Sequence, residues 1–276
     1  MNIHQKKLES LGKEFALNIL TELNEVEAIA FEGAVARGFT DKYSDVDIVC
    51  LCSKIPSLQK RKKLLRPLVD KLNEDFNVPM RYLVNSDYIR YAGKSIGVSY
   101  ERTKEFEHLI NHFKSNRISE SELAKIVTKA YYVKIIWDPQ KIYSRLKTNV
   151  PKSDALKIVE LFLYYLSGMT MKGKWPKLGF QVDLYRKNLM ATDRRFQEAI
   201  DFYLKLLYAL NGEYFFVPKW AHKSIKKLKI KPKRCWERIQ TIFEQGNDAA
   251  SVKKKVKIFE GLVRDLHMIL VKRELK

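Results

Sequence analysis

The sequence predicts an α/β domain, a small mixed β-sheet flanked by helices in residues 1–115, followed by an all-helical domain in residues 116–276. Three observations lead there. Short apolar runs rich in β-branched or aromatic residues alternate with helical patterns in the first third of the chain. Strand signals nearly vanish after Thr103, and long helical patterns fill the remainder.

Taken in order, residues 4–24 place Leu8, Leu11, Phe15, Leu17, Ile19, Leu20 and Leu23 at roughly helical spacing, which predicts a leading amphipathic helix packed on the sheet. The stretch from Ile29 to Leu51 reads as strand, tight turn, short helix, loop and strand. Its two ends are apolar, and Gly33, Gly38 and a polar turn lie between them. Pro56-Ser57 opens a helix to about Asp75, with Leu58, Leu64, Leu65, Leu68, Val69 and Leu72 inward and Lys60, Arg61, Lys62 and Lys63 outward. Val78 to Val84 reads as a third strand and Ile96 to Glu101 as a fourth, with a helical turn from Ser86 to Tyr91 between them. Helical patterns follow at 103–115 and 119–131, the second with a Ser119 and Glu122 capping box. A short apolar piece from Val133 to Trp137 ends in an Asp138-Pro139 turn. A helix beginning at Pro151 is apolar nearly all round and breaks at Gly173-Lys174-Trp175-Pro176. Residues 182–211 form another long helix, stopped by Asn211-Gly212, and basic helices run from there to Lys276.

Composition narrows the class. Hydrophobic content of 46% with 30% charged residues describes a soluble globular protein with ample core. No uncharged apolar run of spanning length and no signal-peptide core appears, so the expectation is a cytoplasmic protein with no membrane contact. Cys50, Cys52 and Cys235 offer neither a disulfide framework nor metal-ligand spacing and read as core residues. The 52 Lys and Arg against 32 Asp and Glu leave a formal +20, a field that attracts polyanions from a triphosphate to RNA without choosing among them.

The chemistry lies between Gly33 and Leu51. Successive side chains of a strand alternate faces, so Asp45 and Asp47 project together while Val46 and Ile48 point the other way. Two adjacent carboxylates repel unless a cation sits between them, and an oxygen-only donor pair suits magnesium or manganese. Magnesium takes its other ligands from waters and substrate phosphates, which points to a nucleoside triphosphate. At Gly33-Ala34 the backbone can approach a phosphate, with the amides opening a short helix at Val35 facing the anion. An Asp-X-Asp standing alone more often keeps an edge strand soluble, and the glycine turn at this distance favours the metal reading.

Residues 33–48 resemble the signature of the polymerase-β-like nucleotidyltransferases, a Gly-Ser turn, a short helix and then Asp-X-Asp on the next strand. The run Ala36-Arg37-Gly38 and the run Tyr43-Ser44-Asp45-Val46-Asp47-Ile48 are similar to the minimal and antibiotic-modifying branches. Ala34 departs from the pattern, since the family carries Ser there and a hydroxyl contact to phosphate is absent. Leu206 to Leu228 is also similar to the C-terminal helical domain of uncharacterised bacterial members. The resemblance implies two divalent ions on Asp45 and Asp47, nucleotide contacts from Gly33, Ala34, Arg37 and Ser44, and transfer of a nucleoside monophosphate with release of pyrophosphate.

It also implies a third carboxylate on a strand beside the acid pair. On the fourth strand Gly97, Ser99 and Glu101 share a face, which makes Glu101 the candidate and Asp87 the fallback. Lys219 beside Trp220 is a further candidate nucleotide contact, and Arg186, Asp193 and Arg194 read as cleft residues or as a salt-bridged stripe. His108 and His112 lie four apart on a helix but lack a third ligand, so they read as surface residues. The acceptor implied is a small hydroxylated molecule such as an aminoglycoside or lincosamide. RNA is the rival, because the chain is strongly basic, and a degenerate nucleotide-binding module is the alternative outside catalysis.

Overall fold

The computed structural model describes residues 3–68, 75–80, 84–114, 126–150, 185–215 and 218–274, which fall in two compact units, Met1–Pro151 and Lys152–Lys276. The first is an α/β sheet unit and the second, over its described residues, is helical. The expected helix after Pro151, its break at Gly173-Lys174-Trp175-Pro176 and the cap at Ser119 lie outside the described residues.

The first unit opens with α1 (Ile3–Asn18), then β1 (Val26–Glu32), α2 (Gly33–Arg37), β2 (Val46–Cys52) and α3 (Leu58–Leu65). It continues with β3 (Asp75–Met80), β4 (Val84–Tyr91), β5 (Lys94–Arg102), α4 (Thr103–Lys114), a π-helical turn at Val127–Tyr131, β6 (Lys134–Trp137) and α5 (Ile142–Asn149). The six strands lie in the order β3-β4-β5-β2-β1-β6. Only β2 and β5 run parallel, and every other neighbouring pair is antiparallel.

Period-two alternation in β2 decides which face carries what. Val46, Ile48, Cys50 and Cys52 join Phe31 of β1, Ile96, Val98 and Tyr100 of β5, and Leu8, Phe15 and Ile19 of the N-terminal segment in one core. Asp47, Val49 and Leu51 therefore take the other face. There the Val127–Tyr131 turn and α5 meet the sheet: Lys129 Nζ donates to Ser99 Oγ at 2.7 Å, and the Tyr143 hydroxyl donates to the Val49 carbonyl at 3.3 Å.

Two expectations change. Ser86–Tyr91 is strand, not a helical turn, because Ala92 (φ +48°) and Gly93 (φ +73°) form a two-residue hairpin turn with both central residues left-handed, pairing Asn85–Tyr91 with Lys94–Tyr100. Ladder bonds along that register outweigh the weak helical pattern of the segment. The short apolar piece at Val133 to Trp137 becomes β6, pairing with β1 at the sheet edge, so the sheet unit runs past residue 115.

A third change concerns the basic cluster of α3. Ser57 caps the helix as expected, accepting from the Lys60 amide, but Arg61 points inward and is 2% exposed. Its guanidinium pairs with the fully buried Asp87 of β4, donates to the Pro56 carbonyl at 3.1 Å and stacks over the Tyr100 ring. Asp87 lies across from Val98 on the α1 face of the sheet, away from Asp47.

In the second unit α6 (Leu189–Ala209), α7 (Ala221–Lys227), α8 (Cys235–Glu244) and α9 (Ala249–Glu274) enclose a core that includes Phe196, Tyr203, Leu207, Ile239 and Phe259. Asn211-Gly212 ends α6 as expected, Gly212 at φ +70°. The Asn211 amide donates to the carbonyls of Leu207 and Ile230 and accepts from the Ile230 amide, tying the helix end to the following loop. Arg194 pairs with Glu198 and Asp193 accepts from Gln197, an exposed stripe along α6. Cys50, Cys52 and Cys235 are all buried and free.

Removing one member of a buried ion pair leaves an uncompensated charge, at a cost of about 3–5 kcal/mol. Asp87→Ala is expected to lower the unfolding free energy in urea by that amount, while Arg61→Met with Asp87→Leu recovers most of it. Equal loss in the single and double variants would show that the pair does not anchor α3.

Candidate active site

The site begins where β1 meets α2. Glu32 closes the strand in extended conformation, and Gly33 turns the chain at φ +62°, a left-handed geometry that side chains resist. Gln5 of α1, buried, donates to the Val35 carbonyl at 2.8 Å and pins the short helix to the layer beneath. At its far end Gly38 (φ +69°) turns the chain out, and the Phe39 amide returns to the Ala34 carbonyl at 3.0 Å.

Asp47 occupies the centre of this arrangement. In the ladder it lies directly across from Glu32 on one side and from Gly97 on the other. A Cβ on Gly33 would overlap Asp47 Oδ2, and one on Gly97 would lie 3.4 Å from Oδ1. Glycine on each flank is what gives this carboxylate its room. Asp45 stands one residue before β2, and both acids are half-buried, hence reachable. Ser44 holds the loop before them: its hydroxyl accepts from the Asp41 amide at 2.9 Å and donates to the Asp41 carboxylate at 3.2 Å.

Tyr88 of β4 packs its ring at Gly97. Burial raises the pKa of its hydroxyl, and the charges of Asp47, Glu32 and Asp45 push the same way against Lys129. All three carboxylates are thus within electrostatic reach of one phenol.

Glu32 is the acid that the sequence reading missed. It accepts from Ser99 Oγ at 3.2 Å, and its Oε1 lies 3.6 Å from Lys129 Nζ. Lys129 also pairs with Glu101 at 3.3 Å. Burial alone would pull the lysine pKa down, but Glu32 and Glu101 outweigh it and hold the value above its ordinary one. A glutamate ending an apolar strand, immediately before the turn glycine, was the available signal.

The structure does not bring Glu101 to the acid pair. It lies across from Leu51, four residues along β5 from Gly97, roughly 13 Å at strand rise, and is 3% exposed beneath Lys129. Asp87, the fallback, is held by Arg61 on the opposite face. Arg37 ends α2 with its guanidinium over the Tyr132 and Phe39 rings, at 4.4 and 5.2 Å. Ala34 is 5% exposed, so its methyl is packed and only backbone is offered at that point of the turn. Lys219 belongs to the second unit, exposed, its ammonium 5.3 Å from the Trp220 ring centre. His108 and His112 are exposed on α4 with ring centres 4.3 Å apart. Among the described residues no three His, Cys, Asp or Glu side chains group into a closed metal site.

An open clamp is what the donor set suits. Two half-buried carboxylates, Asp47 with a glycine on either side, would leave coordination positions for waters and for phosphate oxygens, the habit of magnesium more than of zinc. Residues 14–112 match the family described as nucleotidyltransferase domain. No curated protein matches the chain. Among solved structures 14 chains match. One is a nucleotidyltransferase-like protein from Exiguobacterium sibiricum 255-15, 12% identical over 95% of this chain and 80% of that one, at a TM-score of 0.42.

Two outcomes follow from this geometry. Gly33→Ala places a methyl on Asp47 Oδ2 in a left-handed backbone, so it should cost about 1–2 kcal/mol in urea unfolding and weaken manganese binding measured by electron paramagnetic resonance. Unchanged metal affinity would separate the turn from the acid. The raised Lys129 pKa means that its pairing is intact through neutral pH and is lost only as pH climbs through that elevated value. Side-chain nitrogen NMR should therefore find Lys129 titrating after the exposed lysines, and Glu32→Gln should bring it down; titration ahead of them would refute the pairing.

Proposed function

We propose, from the match of residues 14–112 to the nucleotidyltransferase domain family, that the protein moves a nucleoside monophosphate from a nucleoside triphosphate to a hydroxyl acceptor. The acceptor oxygen forms a bond to the α-phosphorus, the bond from that phosphorus to the β-bridging oxygen breaks, and pyrophosphate leaves. The observation that supports this reading most is the Asp47 carboxylate, framed by Gly33 and Gly97 and faced by Glu32.

Asp45 and Asp47 would hold the divalent ions, magnesium or manganese, which when bound neutralise the polyphosphate and ease ionisation of the acceptor. Glu32, across the ladder from Asp47, replaces Glu101 in this reading as the acid that receives the acceptor proton. Ser99 and Lys129 orient its carboxylate. Gly33 keeps the turn backbone open to phosphate where Ala34 supplies no hydroxyl, and Arg37, steadied by Tyr132 and Phe39, carries positive charge at the end of the same helix.

A small hydroxylated acceptor, an aminoglycoside or lincosamide for instance, is supported by the likeness of residues 36–38 and 43–48 to the antibiotic-modifying branch. An RNA end is the second reading, favoured by the tract from 214 to 236, where eight Lys and Arg occur without one Asp or Glu. A cytoplasmic location suits either acceptor, and no described helix is long and apolar enough to cross a membrane.

The test incubates the protein with each labelled nucleoside triphosphate, magnesium, and either a panel of hydroxyl compounds or total RNA, and follows pyrophosphate. Asp47→Ala is expected to reduce release at least ~100-fold, since metal charge stabilisation is worth several kcal/mol. Nucleotide binding with no release over any acceptor would leave a binding module in place of an enzyme. Release that ignores Asp47→Ala would remove the acid pair from the reaction.

A further inference from the structure

The charge of this chain is unevenly placed. From Tyr214 to Trp236 the cations are Lys219, Lys223, Lys226, Lys227, Lys229, Lys231, Lys233 and Arg234, and the tract itself contains no Asp or Glu. The fold turns that tract into a surface. Lys219 stands on a single 3₁₀ turn, Lys226 and Lys227 end α7, and the loop from Leu228 to Arg234 carries Lys229 and Lys233 outward. Apolar residues between them, Trp220, Ile225, Leu228 and Cys235, are buried, which fixes the backbone and leaves the ammonium groups outside.

Two details show that the cations are held in place. Lys231 donates to the Lys226 carbonyl at 3.1 Å and also to the Leu228 carbonyl, so it caps the end of α7 and shapes the loop that presents its neighbours. Arg234 adopts φ +52° at the start of α8, a conformation that arginine enters only under constraint. That bend delivers its side chain to a groove between α8 and α9.

The groove is the second observation. About 590 Å³ in volume, it is lined by Arg234, Arg238, Lys257 and Arg264 together with Glu237 and Glu260. Gly261 forms part of its wall, and a Cβ there would come within 2.6 Å of an Arg238 guanidinium nitrogen. Arg238 pairs with Asp265 at 2.6 Å, and Lys257 and Arg264 are exposed. The tract of exposed lysines therefore ends at Arg234, which itself lines a groove where arginine and lysine outnumber the glutamates.

We propose that this face of the second unit, Lys226 to Arg234 with the α8–α9 groove, binds the phosphodiester backbone of a nucleic acid. Exposed cations spread from Lys226 to Arg234, a stretch with no Asp or Glu, and leading to a concave wall where Arg and Lys outnumber Glu237 and Glu260, fit a linear run of phosphates better than a compact anion. Backbone contact of this kind gives affinity without base selection, and its strength falls steeply with salt as counterions are released. The proposal goes beyond the transfer reaction and does not require it. Where the reaction does use an RNA end, this surface would hold the body of that RNA.

The experiment measures binding of the full chain to fluorescent single-stranded RNA, single-stranded DNA and polyglutamate across a salt series, without nucleotide or divalent metal. Wild type is compared with Lys226→Ala/Lys229→Ala/Lys233→Ala and with Lys6→Ala/Lys7→Ala/Lys104→Ala, exposed lysines of the first unit that change net charge equally. Circular dichroism melts confirm that both triples fold. The surface triple should lower the slope of log K against log salt by about 2, at roughly 0.7 for each single-strand phosphate that it no longer neutralises, and the control triple should leave the slope unchanged. Equal weakening by both triples would mean a diffuse field and no site, and polyglutamate binding as tight as RNA would remove the phosphodiester reading. RNA and DNA binding alike supports backbone recognition, while preference for one names the source. Because Asp47→Ala should bind nucleic acid like wild type, loss of catalysis and loss of this surface are read separately.

Discussion

Everything chemical in the first unit depends on the register of three strands. Antiparallel β1 sets Glu32 against Asp47, and parallel β5 sets Gly97 against the same residue from the other side. A slip of one residue would send Asp47 into the apolar layer now filled by Val46 and Ile48 and bring those residues to the open face. The register is therefore enforced by hydrophobic burial on the α1 side, where Phe31, Val46, Ile48, Ile96 and Val98 are all essentially inaccessible. Oil on one face positions acid on the other.

Each face of the sheet also carries a paired cation, Arg61 buried and Lys129 half-buried, and the two do different work. Arg61 pairs with Asp87 beneath α3, on the face away from Asp47, and its planar group fills space against Tyr100. Lys129 stands on the acid face, between Glu32 and Glu101, and arrives on a π-helical turn that offsets the side chain from where a regular helix would carry it. Like charges collected on one face repel, and Lys129, set among them, offsets that repulsion by pairing with both Glu32 and Glu101. Asp45 and Asp47 stand at the open, half-buried end of that face, where solvent and ligand can enter and a divalent cation is the natural counter-charge.

Much of this was legible in the sequence. The strand, glycine turn, short helix and Asp-X-Asp strand between Ile29 and Leu51 read correctly because each signal is local: alternation, a glycine where φ is positive, a polar loop. What was not legible is pairing. Gly97 was seen on the correct face of its strand, yet only the register says that Gly97, and not Glu101, is Asp47's neighbour. Glu32 escaped notice for the same reason, since an acid at a strand end is a weak signal until the register sets it against Asp47. The hairpin at Ala92-Gly93 hid behind an alanine, an uncommon residue for a left-handed position. Arg61 hid in a run of lysines whose composition suggested solvent.

The same contrast explains how a chain of formal charge +20 can build an acid site at all. At physiological salt the field of exposed charges decays over about 8 Å, so net charge says little about any one cleft. Distance along the chain decides instead. The acids of the candidate site come from Glu32, Asp45 and Asp47 within one short segment of the first unit, and the tract rich in Lys and Arg after Glu213 belongs to the second. Carrying the two signs in different units would let each keep its own counter-ions, a divalent metal for one and a polyanion for the other, on the two readings proposed above. Were they interleaved on one surface, they would neutralise each other as ordinary salt bridges, as Arg194 and Glu198 do along α6, and neither would be available to a ligand.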